Sequence, residues 1–261
     1  MSEGKRVFEY QPRSDEAILE RTKDIDKKRD GYLKGGLTTF SPKAGSNRIR
    51  FLPPTWANPK HYGYDVYVHF GIGPNNSSFL CNKRMKNEKC PICEELEKPE
   101  VSSNKEVVSK IRAKRRVLAA LIDRNDEENS PKFWACPPGI DTNFVLQSVD
   151  EDTGKILKID KPDKGYDVFF EKEGEKLQTQ YKGEKIARKE SPIHTDPKIY
   201  DNYINFIMDN PIPTLLIFKD YDYIKKAFEG VVPEEKEVAE KGEPISEQEE
   251  LKKQMQEQYG R

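Results

Sequence analysis

The sequence predicts an α+β protein that is mostly β, with a small twisted antiparallel β domain, a metal-binding loop between two early strands and helices at both ends. Three observations predict this fold. Short runs alternate between apolar and polar residues, which is the period of a strand with one buried face. Segments with helix-capping residues stand near both ends of the chain. Three of the four cysteines and one of the three histidines lie within the stretch from His69 to Cys93.

The composition fits one domain with polar extensions. The chain has 261 residues, of which 34% are hydrophobic, enough for one core beneath a large solvated surface. Residues 231–261 hold nine Glu and five Lys or Arg, a net charge of −4, which leaves +3 on the first 230 residues. We therefore expect a polar arm and helix over residues 1–34, a core over 35–230 and an acidic, disordered tail over 231–261.

The cellular compartment is predicted from the absence of targeting patterns in the sequence. No apolar run approaches the length of a membrane span, and the opening residues MSEGKRVFEY lack the apolar segment of a signal peptide. We therefore expect a cytoplasmic protein without a membrane partner, whose cysteines stay reduced and free to bind metal.

The stretch HFGIGPNNSSFLCNKRMKNEKCPIC, which begins at His69, is the clearest candidate site. Cys90 and Cys93 form a CxxC turn that directs both thiolates toward one point, and Cys81 and His69 are close enough in sequence to join them. Structural zinc requires a tetrahedral set of nitrogen and sulfur ligands, and four protein ligands leave no open position for water. The sequence predicts one structural Zn²⁺ held by these four residues, within a zinc subdomain of residues about 61–100.

Other interpretations of the cysteines remain open at this point. A CxxC pair can be a redox dithiol or two buried cysteines, although a third cysteine and a histidine nearby would then have no role. His61 could replace His69 as the fourth ligand, but His69 lies in the last residues of the predicted strand YDVYVHF, which would hold its ring rigidly. Cys136 lies far downstream and is typical of a small buried hydrophobic residue.

The first predicted elements are an arm over residues 1–13 and a polar helix that begins after Ser14 and ends at Gly31. A strand follows in NRIRFLPP, where Ile49 and Phe51 alternate with two arginines. This period predicts one buried face and one basic face.

The next strand, Tyr64 to Phe70, places Tyr64, Val66, Val68 and Phe70 on one face, and Asp65, Tyr67 and His69 on the other. Tyr67 is therefore expected to share a face with the metal ligand. The segment after it, GIGPNNSSFL, is typical of a turn, and EELEKPE just beyond Cys93 predicts a short acidic helix that breaks at a proline.

The middle of the chain contains the predicted central strand. The run VLAALI has no clean period and is ambiguous between helix and strand, but its length favours a strand over residues 116–123. KFWAC predicts another short strand, followed by a short helix capped by Asp141 or Thr142.

The later elements are a hairpin and helices. GYDVFFEKEGEKLQTQYKG predicts two strands that turn at Glu173-Gly174, with Leu177 available to one face. PKIYDNYINFIMD and DYDYIKKAFEG predict helices, and a last polar helix is predicted from Ser246 to Gln258.

Basic and aromatic side chains together indicate nucleic-acid binding. Cations on the first strand, the metal loop and the entrance of the central strand can follow a phosphate backbone, whose binding is driven largely by counterion release. Aromatic rings can stack on bases at about 1–3 kcal/mol each, with little sequence preference. The alternative is that the rings are core and the cations solvated surface. The predicted DNA-binding residues are Arg48, Arg50, Tyr67, Lys83, Arg84, Lys86, Lys114, Arg115, Arg116, Trp134 and Tyr181.

These motifs resemble a known family. NRIRFLPP, YVHFG, a single Cys81, CPIC, KRR before an apolar strand, GYDVFF and SPI occur in this order. Together they resemble the single-stranded DNA-binding, or helix-destabilising, proteins of T4-type and related tailed bacteriophages. The resemblance covers residues 35–230 and is most specific from Arg48 to Cys93. It implies an OB-fold-like antiparallel barrel with an inserted zinc-binding loop and flanking helices.

The resemblance also implies a function without catalysis. The protein would bind single-stranded DNA without sequence preference in phage DNA replication, recombination and repair, in the cytoplasm of the bacterial host. Zinc would be held by the histidine and three cysteines named above. The acidic tail would contact phage replication and recombination proteins, and the protein would self-associate on DNA.

Two other functions fit parts of the sequence. A zinc-stabilised phage nuclease would need a carboxylate cluster for a catalytic metal, for which Asp163, Asp167 and Glu171 are the candidates. A zinc-containing adaptor that binds only protein would show no salt-dependent affinity for DNA.

Overall fold

A computed structural model of the chain describes residues 14–16, 19, 31–150, 154–175 and 178–231. The predicted arm, most of the first helix and the acidic tail with its last helix lie outside the described residues, as does Leu177 of the hairpin. Among the helices described, none combines the length and the apolar character needed to cross a bilayer.

The described residues form seven strands and several helices. The strands are β1 (Gly45–Phe51), β2 (Tyr64–Ile72), β3 (Ser77–Leu80), β4 (Lys114–Asp123), β5 (Lys132–Cys136), β6 (Val168–Glu173) and β7 (Gln180–Ile186). The helices are α1 (Asn82–Lys86), α2 (Pro91–Glu97), α3 (Pro99–Ser102), α4 (Lys105–Ile111), α5 (Pro138–Gln147), α6 (Pro197–Asp209), α7 (Ile212–Leu215) and α8 (Tyr221–Phe228), with a 3₁₀ turn at Glu127–Asn129.

The strands build one mostly antiparallel sheet in the order β3-β2-β4-β1-β6-β7, and β5 pairs with β4 outside this path. A mixed α/β fold with an antiparallel sheet is therefore confirmed. The sheet does not close on itself within the described residues, because β3 and β7 stand at its two ends and β5 adds to β4. The predicted OB-fold-like barrel is accordingly not confirmed.

Strand β4 is the centre of the sheet. Its first half pairs with β2, its middle with β5 and its last residues with β1. All residues from Val117 to Asp123 are buried. A strand that is covered on both faces reads as a continuous apolar run, which explains why VLAALI showed no clean period. The prediction of a strand is confirmed, and the strand begins two residues earlier, at Lys114.

Two hydrophobic clusters cover the two faces of the sheet. Ile49, Phe51 and Phe144 belong to the cluster beneath α5. Val66 and Val68, on the alternate face of β2, belong to a second cluster with residues of α6 and α7. The predicted buried face of β1 is confirmed, since Ile49 and Phe51 are fully buried. On the corresponding face of β2, Val66 and Val68 are fully buried, whereas Tyr64 and Phe70 are partly buried.

A third cluster lies where the metal loop meets the sheet. It contains Ile72, Phe79, Ile92 and Ile224, so α2 and α8 pack over β2 and β3. This small core supports the residues around the predicted metal site.

Several element boundaries differ from the predictions. Strand β3 and helix α1 occupy segments that read as turn and basic loop, and α4, capped by Asn104, was not predicted. Helix α5 begins at Pro138 rather than after Asp141 or Thr142. Proline suits a first helical position because its fixed φ angle and missing N–H cost nothing there. Asp141 is buried inside the helix and accepts side-chain hydrogen bonds instead of capping.

Candidate metal centre and nucleic-acid interface

The four predicted ligands come together in one cluster. His69 lies on β2, Cys81 follows β3 and caps α1, and Cys90 and Cys93 stand at the start of α2. Their ligand atoms all lie within 4.8 Å of one another, and the set can hold a metal ion. Cys90 is the N-cap residue of α2 and Pro91 its first helical residue, so the first turn of this helix brings Cys90 and Cys93 together.

The spacing of the ligand atoms fits a tetrahedral ion. The His69 Nε2 atom lies 3.5 Å from Cys90 Sγ and 3.7 Å from Cys93 Sγ, and Cys81 Sγ lies 3.4 Å from Cys93 Sγ. Bond lengths of about 2.3 Å to sulfur and about 2.0–2.1 Å to nitrogen place tetrahedral ligands about 3.5–3.8 Å apart. All four cysteines of the chain are free of disulfides, so the three thiols of the cluster are available as ligands.

Hydrogen bonds orient the histidine for this role. The Nδ1–H group of His69 donates to the Ile111 carbonyl at 2.7 Å, which leaves Nε2 facing the sulfur atoms. Burial alone would lower the pKa of His69, but the Cys81 and Cys90 side chains and this carbonyl raise the pKa to about 9. Metal binding must therefore displace a proton here, which makes the metal affinity dependent on pH.

The cysteines share their protons unequally. Hydrogen bonds with the Cys81 and Cys93 thiols lower the pKa of Cys90, whereas hydrogen bonds with Cys81 and Cys90 raise the pKa of Cys93. Cys90 is thus favoured as the thiolate, and a metal that binds the cluster must displace the protons of the other two thiols. His61 does not belong to the cluster, which decides the fourth ligand in favour of His69, and Cys136 is buried elsewhere, as predicted.

The metal loop is joined directly to Tyr67. The Cys81 N–H donates to the Tyr67 carbonyl at 2.8 Å, and the Tyr67 N–H donates to Met85 Sδ at 3.3 Å. The Arg84 guanidinium, one turn into α1, lies 5.2 Å from the centre of the Tyr67 ring. A metal at Cys81 would therefore fix the helix that places a cation on this half-exposed ring.

Arg115 lies on the same face of the sheet as Tyr67, and the two are cross-strand partners. Its Nε atom donates to Asp65 Oδ1 at 3.0 Å and its Nη2 atom to Asp65 Oδ2 at 3.2 Å. Asp141 Oδ2 is 4.0 Å from the same Nη2 atom. Tyr67, Arg84 and Arg115 are called the Tyr67 group below.

The predicted basic cluster at the start of β4 is divided between two faces. Successive side chains of a strand point to opposite sides, so Lys114 and Arg116 face away from Arg115. The Arg116 guanidinium lies 5.3 Å from the centre of the Phe70 ring, on the side of the second hydrophobic cluster. Burial lowers the pKa of Arg116. The cluster therefore cannot act as one patch.

The lysines of α1 are exposed and partly engaged with neighbours. Lys83 forms an ion pair with Glu97 across the metal loop, and Lys86 Nζ lies 3.9 Å from the centre of the Phe218 ring. Both remain accessible to a phosphate.

Two predicted DNA contacts are wrong in this structure. Arg50 is fully buried, and its Nη2 atom donates to the carbonyls of Lys161 and Ser191, each at 2.7 Å. Trp134 is also buried, where it stacks at 5.2 Å on Phe170 in the first hydrophobic cluster. Side-chain alternation correctly placed Arg50 on the face of β1 opposite Ile49 and Phe51. The strand sequence alone could not show that loops distant in sequence cover Arg50 on that face.

Two more residues predicted to contact DNA, Arg48 and Tyr181, lie on strands away from the Tyr67 group. Arg48 on β1 is half-exposed and pairs with Asp167 through Nη2 at 2.7 Å. Tyr181 on β7 is half-buried and packs against the first hydrophobic cluster. Both remain available at the surface, but neither belongs to the Tyr67 group.

Two of the three carboxylates considered for a nuclease, Asp163 and Asp167, are used in other contacts, and Glu171 is exposed. Asp167 is buried. It accepts hydrogen bonds from Arg48 and Arg124 and forms an ion pair with Arg50. Asp163 accepts the Tyr200 hydroxyl at 2.7 Å. In the part of the chain that the structure describes, the His/Cys cluster is the one group suited to a metal ion.

His61 and Asp141 form a pair beside the Tyr67 group. The His61 Nε2 atom lies 3.1 Å from Asp141 Oδ1, which also accepts the Tyr62 hydroxyl at 2.6 Å. Burial alone would lower the pKa of His61, but the hydrogen bond to Asp141 and its charge outweigh burial and raise the pKa. Burial would raise the pKa of Asp141, yet its bonds to His61 and Tyr62 lower that pKa.

His61→Gln is expected to reduce the pH dependence of stability. The folded-state pKa of His61 is raised above its unfolded value of about 6.5, so its stabilisation is fully present below that pH. It is lost as the pH rises through the folded-state pKa. Urea denaturation of wild type and variant between about pH 6 and pH 9 measures the difference. His194→Gln serves as the matched control, and equal pH slopes for wild type and His61→Gln would contradict the prediction.

Sequence reasoning missed Asp65, Asp141 and Met85 as members of the site. Asp65 could have been found, because strand alternation already placed it on the face of Tyr67 and His69. Asp141 could not, since only the packing of α5 against the sheet brings it to Arg115. Met85 could not be found either, because its segment was predicted as a basic loop, whereas the structure forms helix α1 there.

No model of a known protein family matches this chain, and no curated protein matches it either. The metal cluster and the Tyr67 group are thus the features from which a function can be inferred.

Proposed function

We propose that this protein binds single-stranded DNA without sequence preference, and that zinc at His69, Cys81, Cys90 and Cys93 stabilises the binding surface. The observation that carries the proposal is the Tyr67 group, a half-exposed ring with a cation from the metal loop and a cation from the central strand. A base can stack on the ring while phosphates contact the guanidinium groups.

Zinc would supply only structural bonds to four protein ligands at this site. Cys81 then links the ion to both ends of the surface, since it caps α1 and its N–H holds the Tyr67 backbone. Ile72, Phe79 and Ile92 belong to the apolar core around the site, and His69, Cys81 and Cys90 are buried from water. The chain's own residues thus hold the ring and cations in place before DNA arrives, which lowers the entropy cost of binding.

The sheet supports the same proposal at a coarser level. An open, strongly antiparallel sheet with an inserted metal loop is compatible with an OB-like arrangement, whose sheet face serves single-strand binding. We propose that the sheet is related to the OB-fold, and that the protein acts in phage DNA replication, recombination and repair in the bacterial cytoplasm. Contacts of the acidic tail with replication and recombination proteins, and self-association on DNA, belong to the same proposal.

The test is fluorescence anisotropy of labelled oligo(dT) and of a matched duplex at two salt concentrations, with and without a zinc chelator. We expect tight binding to the single strand that weakens with salt and after chelation. A parallel incubation with Mg²⁺ should leave the oligonucleotide intact. Cleavage would favour the nuclease, and no binding at low salt would favour a protein adaptor.

Tyr67→Ala is expected to weaken oligo(dT) binding by about 1–3 kcal/mol, the value of one base stacked on one aromatic ring. Tyr67→Phe keeps the ring and is expected to bind like wild type. Tyr221→Ala, which removes a tyrosine on α8 outside the Tyr67 group, is the matched control. Anisotropy titrations at fixed salt provide the measurement, and wild-type affinity of Tyr67→Ala would exclude Tyr67 as a stacking platform.

A further inference from the structure

The guanidinium group of Arg115 already holds an anion in the geometry that suits a phosphate. Asp65 presents two oxygens to its Nε and Nη2 atoms, at 3.0 and 3.2 Å. Carboxylates and phosphates offer similar pairs of oxygens to a planar guanidinium fork. The position of the Asp65 carboxylate therefore marks where a phosphate would bind.

The two carboxylates near Arg115 differ in how easily they can leave. The Asp65 side chain is 54% exposed, so its ion pair with Arg115 contributes little and can exchange. The Asp141 side chain is only 5% exposed, lies 4.0 Å from Arg115 and is held by Tyr62 and His61. Asp141 is thus a fixed part of the protein, whereas Asp65 occupies a position that another anion can take.

We propose that Asp65 is a built-in competitor for the DNA phosphate at Arg115, an inference that rests on the proposed function. Without DNA, Asp65 neutralises Arg115 and occupies its Nε and Nη2 donors. With DNA, a backbone phosphate takes the place of the carboxylate, and Asp65 turns to solvent, where its charge still repels the strand. The arginine keeps its two hydrogen bonds in both states.

This competition determines which anions Arg115 accepts. An isolated anion gains only the contact that Asp65 already makes, so it has little advantage over the carboxylate. A phosphate of single-stranded DNA arrives with a base that can stack on Tyr67, the cross-strand partner of Arg115. Asp65 therefore favours nucleic-acid strands over free anions.

The test is Asp65→Asn, which keeps the shape of the side chain and removes its charge. We expect oligo(dT) to bind about two- to fivefold tighter at low salt, the range of one exposed ion pair. The salt slope should also become steeper, because one more cation is available to neutralise the strand. Asp163→Asn makes the same charge change away from Arg115 and should bind like wild type.

The double variant Asp65→Asn/Arg115→Gln assigns the gain to Arg115. We expect the tighter binding to disappear in it, and Arg115→Gln to cost more in the Asp65→Asn background than in wild type. Wild-type affinity of Asp65→Asn, or a gain that persists in the double variant, would overturn the inference and leave the proposed function standing. No binding of oligo(dT) by wild type at low salt would overturn the proposed function and this inference together.

Discussion

Cys90→Ser is expected to lose the metal, to unfold more easily by about 4 kcal/mol or more, and to bind single-stranded DNA at least about tenfold more weakly. A serine hydroxyl is not deprotonated near neutral pH and so does not replace the thiolate as a ligand. His69 and Cys81 would still be buried, with the His69 Nε2 atom and the Cys81 thiol left without the metal bonds that offset their burial.

The loss of affinity follows from the connection between the metal and the Tyr67 group. The Cys81 carbonyl accepts the Arg84 and Met85 N–H groups at the start of α1, and the Cys81 N–H donates to the Tyr67 carbonyl, so disorder in the metal loop displaces Arg84 from the ring. Metal content by elemental analysis, thermal unfolding and anisotropy measure the three effects. Cys136→Ala is the matched control, since this cysteine is buried outside the cluster and should leave the metal content unchanged.

Two outcomes would contradict this account. Full metal content in Cys90→Ser would show that Cys90 is not a ligand. Loss of metal with wild-type DNA affinity would show that the metal loop does not support the binding surface, although the site could still stabilise the fold.

Arg50→Met is expected to reduce the free energy of unfolding by about 3–5 kcal/mol, the cost of removing one partner from a buried charged network. Arg50 is enclosed by Asp167 and the carbonyls of Lys161 and Ser191, and burial lowers its pKa to about 10. At Gly165 an added Cβ would lie 2.5 Å from the guanidinium, so the cavity is built closely around this side chain.

The matched control for Arg50→Met is Arg48→Met. Arg48 pairs with the same Asp167, but its side chain is half-exposed, so the loss should stay below about 1 kcal/mol. Urea denaturation measures both variants. The folded fraction of Arg50→Met should bind oligo(dT) like wild type, and weakened binding without a loss of stability would return Arg50 to the DNA interface.

Local patterns were sufficient to predict the metal ligands and several strands. The CxxC turn depends on four consecutive residues, and the alternation in β2 correctly placed Tyr67 and His69 on one face. The hairpin of β6 and β7 and the helices α6 and α8 are also confirmed, because their turn, cap and period signals lie within the segments themselves.

The sequence by itself therefore determined which residues can hold a metal and which side chains share a face of a strand. Only the tertiary structure decided whether each face is open or covered. Arg48 and Arg50 share one face of β1, yet one is half-exposed and the other is enclosed by residues more than one hundred positions away. The pairing of Arg115 with Asp65 and Asp141 likewise depends on strand register and on helix packing, which are set by contacts distant in sequence.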